Sequence, residues 1–146
     1  MLTKVPANRA DYPVLTALWR RSVDATHHFL TAADRENIQA ALPTYFAQVD
    51  LQKWLINDEL LGFSGTSDTE LVMLFIDPAY FRHGYGHEIL ASLITTDQLT
   101  TVSVNAQNPG ALQFYRHLGF EITSQAATDA DGRPYPLLNL TRPTTA

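Results

Sequence analysis

A glycine pair placed behind an apolar run is the part of this sequence best suited to hold a ligand. Leu71-Val72-Met73-Leu74-Phe75-Ile76 is closed by Asp77-Pro78, and Arg82-His83-Gly84-Tyr85-Gly86-His87 then opens an amphipathic pattern. The order reads as buried strand, glycine turn and helix N-terminus. A helix start presents unpaired N–H groups and the positive end of its dipole, while glycines let a phosphate approach the backbone, so the chemistry expected is anion binding. A dinucleotide fold would want a third glycine where Ile89 stands, and a P-loop would want Gly-Lys-Ser/Thr; the chain has neither. A second stretch, residues 105–120, runs from a strand end through a short helix to a glycine stop and carries Asn108, Ala111, Tyr115 and Gly119-Phe120. His27-His28 form a third candidate. Adjacent histidines point in different directions on a helix and no third ligand has matching spacing, so no metal is expected.

These residues need elements to position them. A short first strand is predicted over residues 2–5, and Asn8 can cap a helix carrying Val14, Leu15, Leu18 and Trp19 on one stripe. A second helix restarts at Thr31 with Asp34 as its capping partner and uses Ile38 and Leu42, until Pro43 breaks or kinks it. Residues 49–56 and 59–65 read as a hairpin about Asn57-Asp58, followed by the strand 70–76. Ile89, Leu90, Leu93 and Ile94 give the next helix its period. A strand over 100–104, a helix over 109–118 ended by Gly119, and two strands near 121–128 and 135–140 complete the order. The sum is an α+β or mixed α/β sandwich with a locally parallel pair between strands 70–76 and 100–104.

A chain of 146 residues, 45% hydrophobic, fits one domain, 1–146, that buries roughly two-thirds of its unfolded surface. Lys and Arg number 10 against 15 Asp and Glu, for a net charge of −5, and Arg20-Arg21 is the only adjacent basic pair. Nucleic-acid binding is therefore not expected, because a phosphate backbone is held by clustered basic residues. The absence of cysteine removes disulfides, thiolate nucleophiles and Cys-based zinc sites together. Residues 1–6 lack the features of a signal peptide, and no apolar run approaches the ~18 residues of a membrane span. A cytoplasmic location is expected, with no membrane partner.

Taken together, the loop and the Asn108, Ala111, Tyr115, Gly119-Phe120 pattern resemble the GNAT superfamily of acyl-CoA-dependent N-acyltransferases across the whole domain. Residues 19–27, the Phe29-Leu30 pair and residues 132–140 are similar to the small bacterial YjaB-like acetyltransferases. The resemblance implies a central mixed sheet of about seven strands with about four helices, and acetyl-CoA as co-substrate. It implies that the pantetheine arm pairs with Leu74, Phe75 and Ile76, and that backbone N–H groups of Arg82, His83, Gly84, Tyr85, Gly86 and His87 hold the pyrophosphate. The Gln or Arg that begins the family loop falls on Phe81, with Arg82 beside it.

By the same resemblance Asn108 hydrogen-bonds the cofactor arm and Tyr115 is the general acid that protonates the departing thiolate. A phenol suits that task, since it stays protonated at neutral pH. No carboxylate stands at Ser103, where some relatives of this kind place a base. Glu70 and His27 are the candidates, with ordered water as an equal competitor and His27 also a possible acceptor contact. Trp19 and Trp54 are expected in core or edge packing, either able to line the acceptor pocket, and Tyr135-Pro136 to shape that pocket. The acceptor is an amine on a protein lysine, a protein N-terminus or a small molecule, and the chain acts as monomer or homodimer. The alternative is a non-catalytic acyl-CoA-binding or sensing domain of the same fold, motivated by the missing base and by Phe81.

Overall fold

The computed structural model describes residues 2–143. Seven strands form one mixed sheet in the order β1-β2-β3-β4-β5-β7-β6. They are β1 (Leu2–Pro6), β2 (Asp50–Ile56), β3 (Glu59–Ser67), β4 (Glu70–Ile76), β5 (Thr101–Asn105), β6 (Glu121–Ala126) and β7 (Leu137–Thr141). Four α-helices accompany them: α1 (Tyr12–Thr26), α2 (Ala32–Phe46), α3 (Tyr85–Asp97) and α4 (Pro109–His117). The α+β class, the strand number and the helix number are those read from the sequence. Two compact units divide the chain, Met1–Ser67 with Val72–Gly86, and Asp68–Leu71 with His87–Ala146.

In the first unit, Asn8 accepts from the Ala10 N–H and Asp11 reaches back to the Asn8 N–H, a reciprocal cap that starts a 3₁₀ turn rather than α1 itself. α1 begins at Tyr12 and buries Leu15, Leu18, Trp19, Ser22 and Val23, the i, i+3, i+4 spacing of one helical face. Val14 was expected on that stripe but is 47% exposed, because a residue one step before Leu15 is turned about 100° away from it. Thr31 caps α2 by accepting from the Asp34 N–H. The helix does not stop at Pro43. It continues to Phe46, with the Ala47 N–H bonded to the Pro43 carbonyl, since Phe46 is buried against Tyr12 at 5.1 Å and Phe63 at 5.6 Å between ring centroids. Aromatic pairs of this kind contribute about 0.5–1.5 kcal/mol each beyond area burial, which helps offset the hydrogen bond that proline removes.

The β2–β3 hairpin turns on Asn57 and Asp58, both at positive φ, as the tight turn expected from those residue types. Trp54 is buried and donates its indole N–H to Ser64 Oγ at 2.9 Å, and Trp19 is 3% exposed. Both tryptophans are thus core residues.

In the second unit, β4 and β5 pair in parallel at Glu70↔Thr101 and Leu71↔Val102. β7 pairs antiparallel with both β5 and β6. Ile89, Leu90 and Leu93 of α3 are fully buried, as are Leu99, Phe120 and Leu140 to within 1%. The parallel pair, the crossover helix α3 and the closing antiparallel strands follow the predicted order. The last strand starts two residues later than expected, leaving Tyr135 and Pro136 in the approach to it.

Candidate active site

The loop after β4 is held at its entry by Asp77. Its Oδ1 accepts from the Ala79 N–H, its backbone N–H donates to the Leu61 carbonyl at 2.7 Å, and its Oδ2 receives Arg21 Nη2 at 2.6 Å and Nε at 3.2 Å. Tyr80 donates to Glu59 Oε2 at 2.6 Å, which pushes the phenol pKa up. The loop backbone then turns through positive φ at Arg82 (65°) and Gly84 (79°) before α3 starts at Tyr85. A non-glycine residue in that region is uncommon, and nothing in the sequence around Arg82 signals it.

No backbone or side-chain group among the described residues accepts a hydrogen bond from the N–H of Arg82, His83, Gly84, Tyr85 or Gly86, and no side chain caps α3. A Cβ built on Gly84 would meet nothing within 4 Å. A row of free donors beside open space at a helix start is the arrangement that takes an anion. His83 and His87 are exposed, and the His83 ring stacks on Tyr85 at 5.7 Å.

β4 ends at this loop with Leu74, Phe75 and Ile76, all half-buried. The Phe75 ring packs on Phe63 at 5.6 Å. Gly62 of β3 lets the two backbones approach here, because a Cβ there would lie 2.6 Å from the Phe75 carbonyl oxygen. The signal for Gly62 in the sequence is a glycine inside a predicted strand.

His27 caps the C-terminus of α1, giving its N–H to the Val23 carbonyl at 2.7 Å. Its ring lies 5.3 Å from Phe29 and 6.3 Å from Phe75, and its Nδ1 is 2.6 Å from Thr26 Oγ1. Burial, with a smaller contribution from His28, lowers its pKa to about 4, so the imidazole is neutral at physiological pH. The structure therefore brings His27 to the end of β4. Glu70 is the exposed first residue of that strand, four to six residues before Leu74 and Ile76, or about 13–20 Å at the rise of a strand.

In the second unit Asn108 is the N-cap of α4, its Oδ1 accepting from the Ala111 N–H at 3.2 Å. That leaves its amide NH₂ as the group able to donate elsewhere. Tyr115 stands seven residues on, two turns along the same helical face, and is 8% exposed. Its ring packs edge-on against Phe114 at 5.1 Å and Phe120 at 5.9 Å. Burial raises the phenol pKa, so the hydroxyl keeps its proton. Its only polar atom has no hydrogen-bond partner among the described residues. Ser103 donates to Asn139 Oδ1 at 2.7 Å, and that amide donates to Ser124, so no carboxylate is found at that register.

Against known proteins, the family described as acetyltransferase (GNAT) domain matches residues 18–135. The peptidyl-lysine N-acetyltransferase YjaB of Salmonella typhimurium is 38% identical over 132 residues, covering 88% of this chain and 90% of that protein. The Escherichia coli protein of the same name is 36% identical over 129 residues, with 86% of each covered. The solution structure of apo YjaB from Escherichia coli superposes with a TM-score of 0.89 at 32% identity, over 99% of both chains.

Proposed function

Since this chain belongs to the GNAT family and is an N-acetyltransferase, we propose that it transfers acetyl from acetyl-CoA to the side-chain amine of a lysine in a protein. The observation that carries the donor half is the row of unpartnered N–H groups from Arg82 to Gly86, entered through the positive φ of Gly84. The lysine half is supported by likeness to two relatives named as peptidyl-lysine N-acetyltransferases. GNAT acetyltransferases draw on acetyl-CoA as a class, and a cytoplasmic site of action is part of this reading because CoA thioesters are made and used there.

The residues present fit that co-substrate. The N–H groups of Arg82, His83, Gly84, Tyr85, Gly86 and His87 would hold the pyrophosphate, and the exposed Arg82 guanidinium adds positive charge nearby. The backbone of Leu74, Phe75 and Ile76 would pair with the pantetheine arm, and the Asn108 amide would donate to it. Phe81 at the customary Gln or Arg position is compatible with this, because the cradle is made of backbone rather than side chains. When bound, acetyl-CoA supplies an acetyl group already activated as a thioester.

Tyr115 Oη is the proton donor of this reading, held protonated by burial and free of any internal partner. His27 is the proton acceptor or amine contact, neutral and set against Phe75. Glu70 is the weaker choice, exposed and at the far end of its strand. With no cysteine in the chain, direct attack by the amine on the thioester carbonyl needs no acyl-enzyme.

The test is a thiol-release assay with acetyl-CoA against lysine peptides, peptides with blocked lysines and a free N-terminus, and small amines. Product sites are then located by mass spectrometry. Acceptor-dependent release with the acetyl group on lysine Nζ is expected. Release confined to N-termini or small amines would overturn the lysine assignment, and acetyl-CoA binding without release on any acceptor would overturn the transferase reading.

A further inference from the structure

Two hydrogen bonds meet on one side chain at the end of α1, Thr26. Thr26 Oγ1 lies 2.8 Å from the Ser22 carbonyl and 2.6 Å from His27 Nδ1. A hydroxyl has one proton to give and the carbonyl can only accept. Both contacts are hydrogen bonds at once in a single arrangement: Thr26 donates to Ser22, and His27 Nδ1–H donates to Thr26. The neutral imidazole then carries its lone pair on Nε2. The opposite arrangement, with the hydroxyl turned to Nδ1, loses the bond to Ser22 and protonates Nε2. Phe29 and Phe75, at 5.3 and 6.3 Å and tilted to the ring, oppose a flip that would exchange the two nitrogens.

We infer that Thr26 is a positioning residue, which fixes the tautomer of His27 so that Nε2 offers its lone pair to the acceptor amine. The inference rests on the reading of His27 as the group that meets the amine. In the step it serves, the amine nitrogen forms the bond to the acetyl carbon and its proton passes to Nε2, giving an imidazolium whose Nδ1–H stays on Thr26. The sulfur leaves with its electron pair and takes the Tyr115 proton. A threonine in the last position of a helix looks, by sequence, like any hydroxyl bonded back to its own turn; only the ring beside it gives it a second use.

The test reads the ring directly. Long-range ¹H–¹⁵N correlation spectra of the ¹⁵N-labelled protein at pH 7.5, with His27 assigned through loss of its signals in His27→Gln, report which nitrogen is protonated. The expected result is a proton on Nδ1 in the wild type and in Thr26→Ser, and a shift towards Nε2 in Thr26→Val. A wild-type proton on Nε2, or a Thr26→Val spectrum like the wild type, would overturn the proposal without touching the transferase reading. In turnover, Thr26→Val should lower kcat at least about tenfold with KM for acetyl-CoA unchanged, and Thr26→Ser should restore it. A shifted tautomer with unchanged kcat would overturn the positioning role together with the assignment of His27.

Discussion

Arg21 reaches from the middle of α1 to Asp77 at the head of the glycine loop, placing both Nε and Nη2 on one carboxylate oxygen at 3.2 and 2.6 Å. Asp77 is 17% exposed and also caps the turn that begins the loop. The pair therefore joins the helix that carries His27 to the segment proposed to hold the cofactor phosphates.

Arg21→Met should keep the aliphatic stem while removing the clamp. Because half of the Arg21 side chain is exposed, the cost in global stability is small, about 0.5–1 kcal/mol. The larger expected effect is local: KM for acetyl-CoA should rise about three- to tenfold with kcat nearly unchanged, as for lost uniform binding. Steady-state kinetics and a thermal melt check both parts, and an unchanged KM would show that the loop keeps its shape without the ion pair.

Tyr115→Phe removes a hydroxyl that has no internal hydrogen bond and keeps a ring packed on Phe114 and Phe120. The fold should be about as stable as the wild type, since the hydroxyl makes no internal hydrogen bond and its removal leaves no partner behind. Turnover should fall on the order of 100-fold with acetyl-CoA affinity retained. Calorimetric titration beside thiol release separates the two quantities, and wild-type turnover would remove the phenol from the reaction.

Gly84 and Gly62 should respond to alanine for different reasons. At Gly84 the added methyl meets nothing, so Gly84→Ala costs only the positive φ, about 1–2 kcal/mol, and shows as weaker acetyl-CoA binding. At Gly62 the methyl meets the Phe75 carbonyl at 2.6 Å, so Gly62→Ala should push β3 and β4 apart and lower stability by about 1–3 kcal/mol. Denaturant melts and calorimetry distinguish them. Unchanged acetyl-CoA affinity in Gly84→Ala, or unchanged stability in Gly62→Ala, would contradict this division.

The pKa of His27 predicts a pH dependence of stability. Its folded value of about 4 lies below the ordinary 6.5, so between those two values the unfolded chain binds a proton that the folded chain does not. Stability from this group is then complete above about pH 6.5, falls as the pH drops towards 4, and levels off below it. The loss should be on the order of 2 kcal/mol for a partly exposed ring. Urea melts at pH 7.5 and pH 5 test it against His27→Gln, which should show a smaller difference between the two; an identical difference would mean that His27 keeps an ordinary pKa.

Much of the fold was legible because it is written in short spacings. The Asn57-Asp58 turn, the Thr31 cap, the apolar period of α3 and the glycine stop after α4 each depend on residues within a few positions of one another. Local rules give way where a distant partner outweighs them. Pro43 does not end α2 because Phe46 has Tyr12 and Phe63 to pack against, and Val14 leaves the stripe because the core lies to one side of it.

The sequence alone determined the class of fold, the strand-loop-helix order around Gly84 and the family pattern of Asn108 and Tyr115, since all of these are carried by residue type and local spacing. Tertiary structure decided which side chains meet. Arg21 and Asp77 are 56 residues apart in the chain, and His27 finds Phe75, because α1 lies against β3 and against the turn that begins the loop. No local period encodes such pairings: they depend on how separately formed elements cross. That is why the free donors of the loop could be foreseen, whereas its anchor and the setting of the histidine could not.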